Sequence, residues 1–137
     1  MRIVVDSNVF ISLYFETEKF HIKAKEFYAK IVSGEIEPIS SIIMLPEICG
    51  SISRQLGKDR AKEIRFEIEK MIKKGILKLE NITSERLDIG STLAIDLGIK
   101  GADSLFVTLA KEYNIPLLTF DEGVKQKIRG KIKIFEI

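Results

Sequence analysis

The chain opens on a short run that admits few folds. From Arg2 to Val5 it is dominated by β-branched apolar residues, and it stops on an acid, Asp6. Such a run suits a strand buried on both faces, as in a parallel sheet. An acid at its end then emerges at the carboxyl edge of the sheet, where sheets of this kind bind ligands.

The rest of the sequence alternates helix and strand patterns. Residues 20 to 33 put Phe20, Ala24, Phe27, Tyr28, Ile31 and Val32 on one helical face, with Gly34 as the stop. A short strand follows near Glu37 to Ile39. Ser40 or Ser41 then caps a helix that carries Pro46 near its start and runs to about Gln55. Residues 58 to 74 turn Ala61, Ile64, Ile68, Met71 and Ile72 inward and end at Gly75. A strand is expected over residues 77 to 80, a helix from an N-capping Ser84 to Leu97, and another helix just after Gly101. Residues 115 to 119 read as a buried strand entered through Pro116, and 132 to 137 as an alternating edge strand. The pattern predicts an α/β fold, a three-layer α/β/α sandwich with a mostly parallel central sheet.

At 137 residues, 45% of them hydrophobic, the sequence fits one domain over residues 1–137 with a real core. The first apolar run is too short for a signal peptide, and no later run is long enough to span a bilayer. The expectation is a cytoplasmic protein with no membrane partner. The lone Cys49 excludes an internal disulfide and reads as a small buried thiol in an apolar stretch. His21 has no second histidine to share a metal with and reads as a solvated or capping residue. A formal charge of +2 neither requires nor excludes a nucleic acid. The basic tail of Lys125, Lys127, Arg129, Lys131 and Lys133 reads as a solvated edge strand rather than an RNA track.

Most acids lie among Lys and Arg, but four do not. Asp6 and Asp121 follow buried strands; Glu47 follows Pro46 in the apolar stretch Ile42-Ile43-Met44-Leu45; Asp103 opens an apolar helix. Taken singly, Asp103 reads as a helix cap and Asp121 as a turn residue. Together, unpaired carboxylates in a half-buried cleft repel one another and call for a cation. With oxygen ligands only, and no His or Cys nearby, that cation is Mg²⁺ or Mn²⁺, which suits phosphodiester chemistry.

The segments Asp6-Ser7-Asn8-Val9-Phe10, Leu45-Pro46-Glu47-Ile48-Cys49-Gly50, Gly101-Ala102-Asp103-Ser104 and Leu118-Thr119-Phe120-Asp121 resemble, in order and spacing, the four acidic motifs of PIN domains. The resemblance covers nearly the whole chain and is nearest to short VapC-type toxins. It implies magnesium-dependent cleavage of RNA leaving 5′-phosphate and 3′-hydroxyl ends, a cognate antitoxin that blocks the site, and a homodimer. It further implies that Asp6 and Asp103 are the principal metal ligands, that Glu47 and Asp121 complete the cluster directly or through water, and that Ser7, Asn8 and Thr119 stand behind them. Glu122 adjoins Asp121 and competes for its role.

Arg54, Lys58 and Arg60, shortly after Glu47, are candidates for binding phosphate. Phe66, off the inward stripe of its helix, is a candidate for a dimer or antitoxin surface, whereas Tyr14 and Phe15 read as core. Two other classes compete. A receiver domain or small phosphatase also places an aspartate at a strand end, but position 8 is asparagine where the phosphatase needs a second acid. A non-catalytic module of the same fold that binds RNA or protein is the other, and a housekeeping RNA-processing nuclease stands beside the toxin.

Overall fold

The computed structural model describes residues 1–137. Four parallel strands form the sheet: β1 (Arg2–Val5), β2 (Glu37–Ser41), β3 (Lys78–Glu80) and β4 (Leu117–Leu118), in the order β3-β2-β1-β4. Seven helices connect and cover them: α1 (Ser7–Leu13), α2 (His21–Val32), α3 (Met44–Leu56), α4 (Lys58–Lys73), α5 (Ser84–Leu97), α6 (Gly101–Tyr113) and α7 (Glu122–Ile128). The result is the expected three-layer α/β/α sandwich.

The chain lays down β1, β2 and β3 in one direction and then places β4 on the other flank of β1. The strand order therefore reverses between β1 and β4, pairing Val5 with Leu118. A crevice opens at the carboxyl ends of strands where the order reverses, and Asp6 stands there. Ile3, Val4 and Val5 are fully buried, which explains the uninterrupted β-branched run. One continuous core joins them to Met44, Ile48 and Ile52 of α3, Ile64 and Ile68 of α4, Phe106 and Val107 of α6, and Ile128 of α7. No helix is long and apolar enough to cross a membrane.

Several sequence expectations are corrected. Ser40 and Ser41 end β2 instead of capping α3: the Ser40 hydroxyl donates to the Val5 carbonyl at 2.7 Å, so it ties β2 to β1. The cap of α5 is Thr83, one residue before Ser84, and its Oγ1 accepts the Arg86 amide at 3.1 Å. On α2, Tyr28 and Val32 are exposed, while Phe20 precedes the helix and stacks on Phe120 at 4.9 Å. The strand expected at 115 to 119 is only Leu117–Leu118, and the expected edge strand at 132 to 137 contracts to a single bridge between Leu117 and Ile134.

Two short helices, α1 and α7, have no counterpart in the sequence pattern. In α7 the Asp121 side chain caps the helix, accepting the Val124 amide at 3.1 Å, and Val124 and Ile128 face the core one turn apart. That helix takes up part of the basic tail. Lys125 is buried, with Glu136 at 3.3 Å and Glu122 at 3.6 Å, so it is neither a solvated strand residue nor free to meet RNA. Cys49 is half-buried rather than buried, because it faces the groove between α3 and α4.

Candidate active site

Asp6 is the best-held carboxylate in the molecule. Only 4% of it is exposed, and both oxygens are engaged. Oδ2 accepts from the Thr119 hydroxyl at 2.8 Å and from Asn8 Nδ2 at 3.2 Å; Oδ1 lies 3.3 Å from the Ser7 hydroxyl. Thr119 in turn accepts from Asn8 Nδ2 at 3.0 Å and from the Asp121 amide at 3.2 Å, which uses its one proton and both lone pairs. Asn8 closes the ring by accepting the Phe120 amide at 3.1 Å. The residues after β1 and β4 are thus bound into one polar knot at the crevice.

Glu47 enters from the first turn of α3, and the Ser7 hydroxyl reaches it at 3.0 Å. Asp103 enters from the first turn of α6, which begins at Gly101 with Lys100 as its N-cap, so Asp103 is not itself the cap. Its charge is close enough to raise the pKa of both Asp6 and Glu47, and Asp121 raises that of Asp103. Asp121 is exposed at the rim.

Burial is the largest cause of the shifts, and it pushes the Asp6 carboxyl up to about 6, with the Thr119 hydrogen bond opposing and Asp103 adding. Burial likewise raises Glu47 and Asp103. None of the four carboxylates forms an ion pair with a Lys or Arg. Lys100 and Lys127 lie near enough to Asp103 to lower its pKa somewhat, and the Lys127 ammonium is held by the Gly98 carbonyl at 2.8 Å. Sequence reasoning did not single out Lys100 and read Lys127 only as part of the solvated basic tail. Their only local signal is that Lys100 immediately precedes the Gly101-Ala102-Asp103 segment.

The donor set is oxygen only, crowded and short of positive charge, which suits a hard divalent ion. No three acidic, His or Cys side chains close into a ready-made cage.

A family model described as PIN domain matches residues 3–129. The chain belongs to the PIN domain family. Solved structures with the same fold include Mycobacterium tuberculosis VapC20, described as a sarcin-ricin loop cleaving toxin, at 15% identity and a TM-score of 0.74 over 95% of each chain. A toxin-antitoxin complex from Klebsiella pneumoniae matches at 16% identity and 0.63 over 98% of each chain. VapBC2 from Rickettsia felis, bound to a DNA fragment from its promoter, matches at 16% and 0.67, again over 98% of each chain. At this identity the likeness speaks for the fold. No curated protein is a significant sequence match.

Within this PIN domain the other sequence candidates separate. Glu122, adjoining Asp121, is exposed and lies 3.6 Å from the Lys125 ammonium. Arg54 and Lys58 are exposed, whereas Arg60 is paired with Glu63 at 3.0 Å and faces a different cavity beside Tyr14 and Leu56. Tyr14 and Phe15 pack partly buried against the core, and Phe66 is 63% exposed. His21 is tied to the Ser12 carbonyl through Nδ1 at 2.8 Å, joining α2 to α1.

Proposed function

We propose that this PIN domain is a divalent-metal-dependent endoribonuclease, the toxin of a toxin–antitoxin pair. One observation carries the reading: a nearly inaccessible carboxylate, Asp6, is held by three neighbours, has its pKa raised by burial and by the charges of Asp103 and Glu47, and has no Lys or Arg paired with it. A site of that kind is unfavourable for folding alone and makes sense as a cation receptor. The relatives of the same fold described as toxins or toxin–antitoxin complexes support the biological role.

Asp6 and Asp103 would hold Mg²⁺ or Mn²⁺, with Glu47 and Asp121 completing the shell directly or through water. Such an ion supplies electrostatic stabilisation to a phosphodiester and lowers the pKa of water. Thr119 and Asn8 hold the Asp6 carboxylate through Oδ2, and Ser7 keeps Glu47 in register with Asp6. The RNA backbone would enter over the rim at Asp121. A cognate antitoxin blocking that rim and a homodimer belong to the same reading; light scattering on the isolated protein at micromolar concentration tests the dimer.

Calorimetric titration with Mn²⁺ tests the site without a guess about substrate. The native protein should bind, and Asp6→Asn and Asp103→Asn, with folding checked by circular dichroism, should not. A native protein that fails to bind Mn²⁺ would sink the nuclease assignment in favour of a binding module of the same fold.

A further inference from the structure

We infer that the groove between α3 and α4, one helical turn along α3 from Glu47, is a second RNA-backbone subsite; this rests on the ribonuclease reading and extends it. The groove has a volume of about 330 Å³ and no acidic side chain in its lining. It begins at Gly50, one helical turn beyond Glu47 on the same face of α3, and continues past Cys49 and Ser53. Its other wall is a stripe of three cations on α4, Lys58, Lys62 and Arg65, at helical spacing.

Lys58 and Lys62 form no ion pair, and Arg65 uses only Nε on Glu69, at 2.6 Å, which leaves its terminal nitrogens free. The missing side chain at Gly50 keeps the passage open, and the Arg54 guanidinium lies over that position, 3.2 Å from where a Cβ would stand. Arg54 is also unpaired and shares the face of α3 that carries Glu47. A strand of alternating phosphates that leaves the acidic cluster along α3 would pass Arg54 and the α4 stripe. Cations along a trench, Lys58 and Lys62 among them unpaired, suit a polyanion rather than an apolar peptide.

Cys49, the only cysteine, sits in this groove and serves as a native reporter. The experiment follows its alkylation by iodoacetamide with and without a saturating mixed-sequence single-stranded oligoribonucleotide, in Ca²⁺ to neutralise the acidic cluster. RNA should slow alkylation by about tenfold or more, and K58E/K62E should weaken binding of the same RNA about tenfold. The slope of log affinity against log salt should flatten by about 0.7 for each phosphate that the variant no longer neutralises. Mn²⁺ binding in K58E/K62E should stay native, which separates the groove from the metal site. An RNA that fails to bind the native protein, that leaves Cys49 equally reactive, or that binds K58E/K62E with native affinity would overturn the proposal. The last two outcomes would point instead to an acidic protein segment as occupant.

Discussion

The hydroxyl of Thr119 donates to Asp6 Oδ2 at 2.8 Å, a bond that spans 113 residues of chain and closes the sheet's switch point around its most buried acid. Replacing Thr119 with valine keeps the shape and removes the polar atom. Asp6 is then deprived of its shortest donor, and Asn8 Nδ2 and the Asp121 amide of an acceptor. The expected result is a decrease of about 1–3 kcal/mol in urea unfolding and a roughly ten- to hundredfold weaker Mn²⁺ isotherm. Native Mn²⁺ affinity in Thr119→Val would show that Asp6 needs no such support.

Asp6→Asn should stabilise the metal-free protein at neutral pH even as it abolishes metal binding and RNA cleavage. Burial lifts the Asp6 carboxyl from its ordinary 3.8 to about 6, so ionising it in the folded state is unfavourable by on the order of 3 kcal/mol. Below 3.8 the acid is neutral whether folded or unfolded, and stability is full. As pH rises through about 6 that contribution is lost, and Glu47 and Asp103, also raised by burial, act in the same direction. Thermal melts between about pH 4 and 8 should show this decline in the native protein, a weaker one in Asp6→Asn, and its reversal by Mn²⁺ in the native protein alone. Equal pH dependence in both proteins would contradict the burial argument.

Ser7 lies within reach of two carboxylates, at 3.0 Å from Glu47 and 3.3 Å from Asp6, with a single proton to give. Ser7→Ala should cost about 1 kcal/mol or less in stability, since Asp6 keeps Thr119 and Asn8. Its larger effect should fall on metal affinity, about tenfold, because Glu47 is no longer linked to Asp6. A stability decrease without any change in Mn²⁺ binding would remove Ser7 from the site.

Far from the acidic cluster in function, Arg86 bonds Glu80 at 3.1 Å and Glu112 at 2.7 Å, and Tyr113 donates to Glu80 at 2.6 Å. Arg86 and Glu80 are 15% and 13% exposed, so removing the guanidinium leaves Glu80 to Tyr113 and to Lys78 at 3.2 Å. Arg86→Met should lower stability by about 1–3 kcal/mol in urea while leaving Mn²⁺ binding intact. A neutral substitution would mean that water solvates Glu80 as well as Arg86 does.

Much of this site was legible in the sequence because buried strands announce themselves. Ile3-Val4-Val5 has no polar residue to face water, so the acid after it had to lie at a sheet edge, and the same logic reached Asp121. What the sequence concealed were contests between equally plausible local bonds. Ser40 and Ser41 look like caps, yet a strand carbonyl at Val5 claims the Ser40 hydroxyl. Thr83 and Ser84 are adjacent candidates that only backbone geometry separates. The helices α1 and α7 are each seven residues long, too short to show a full apolar stripe. Cys49 looks interior because its neighbours in sequence are apolar, but it faces the groove against α4. The knot joining Asn8, Thr119 and Asp6 lies beyond any local pattern.

The brevity of β4 has a temporal meaning. A growing chain carries Asp6 and Glu47 early, but Thr119 and Asp121 lie near its far end. Strand β4 is then held to β1 by few bonds, among them Val4 to Pro116 at 2.9 Å and Asp6 to Leu118 at 3.0 Å. Contacts so distant in sequence close late, and once closed they bury Leu117 and Leu118 in the core. The acids after β1 and β4 are therefore brought together only when this two-residue strand docks beside β1.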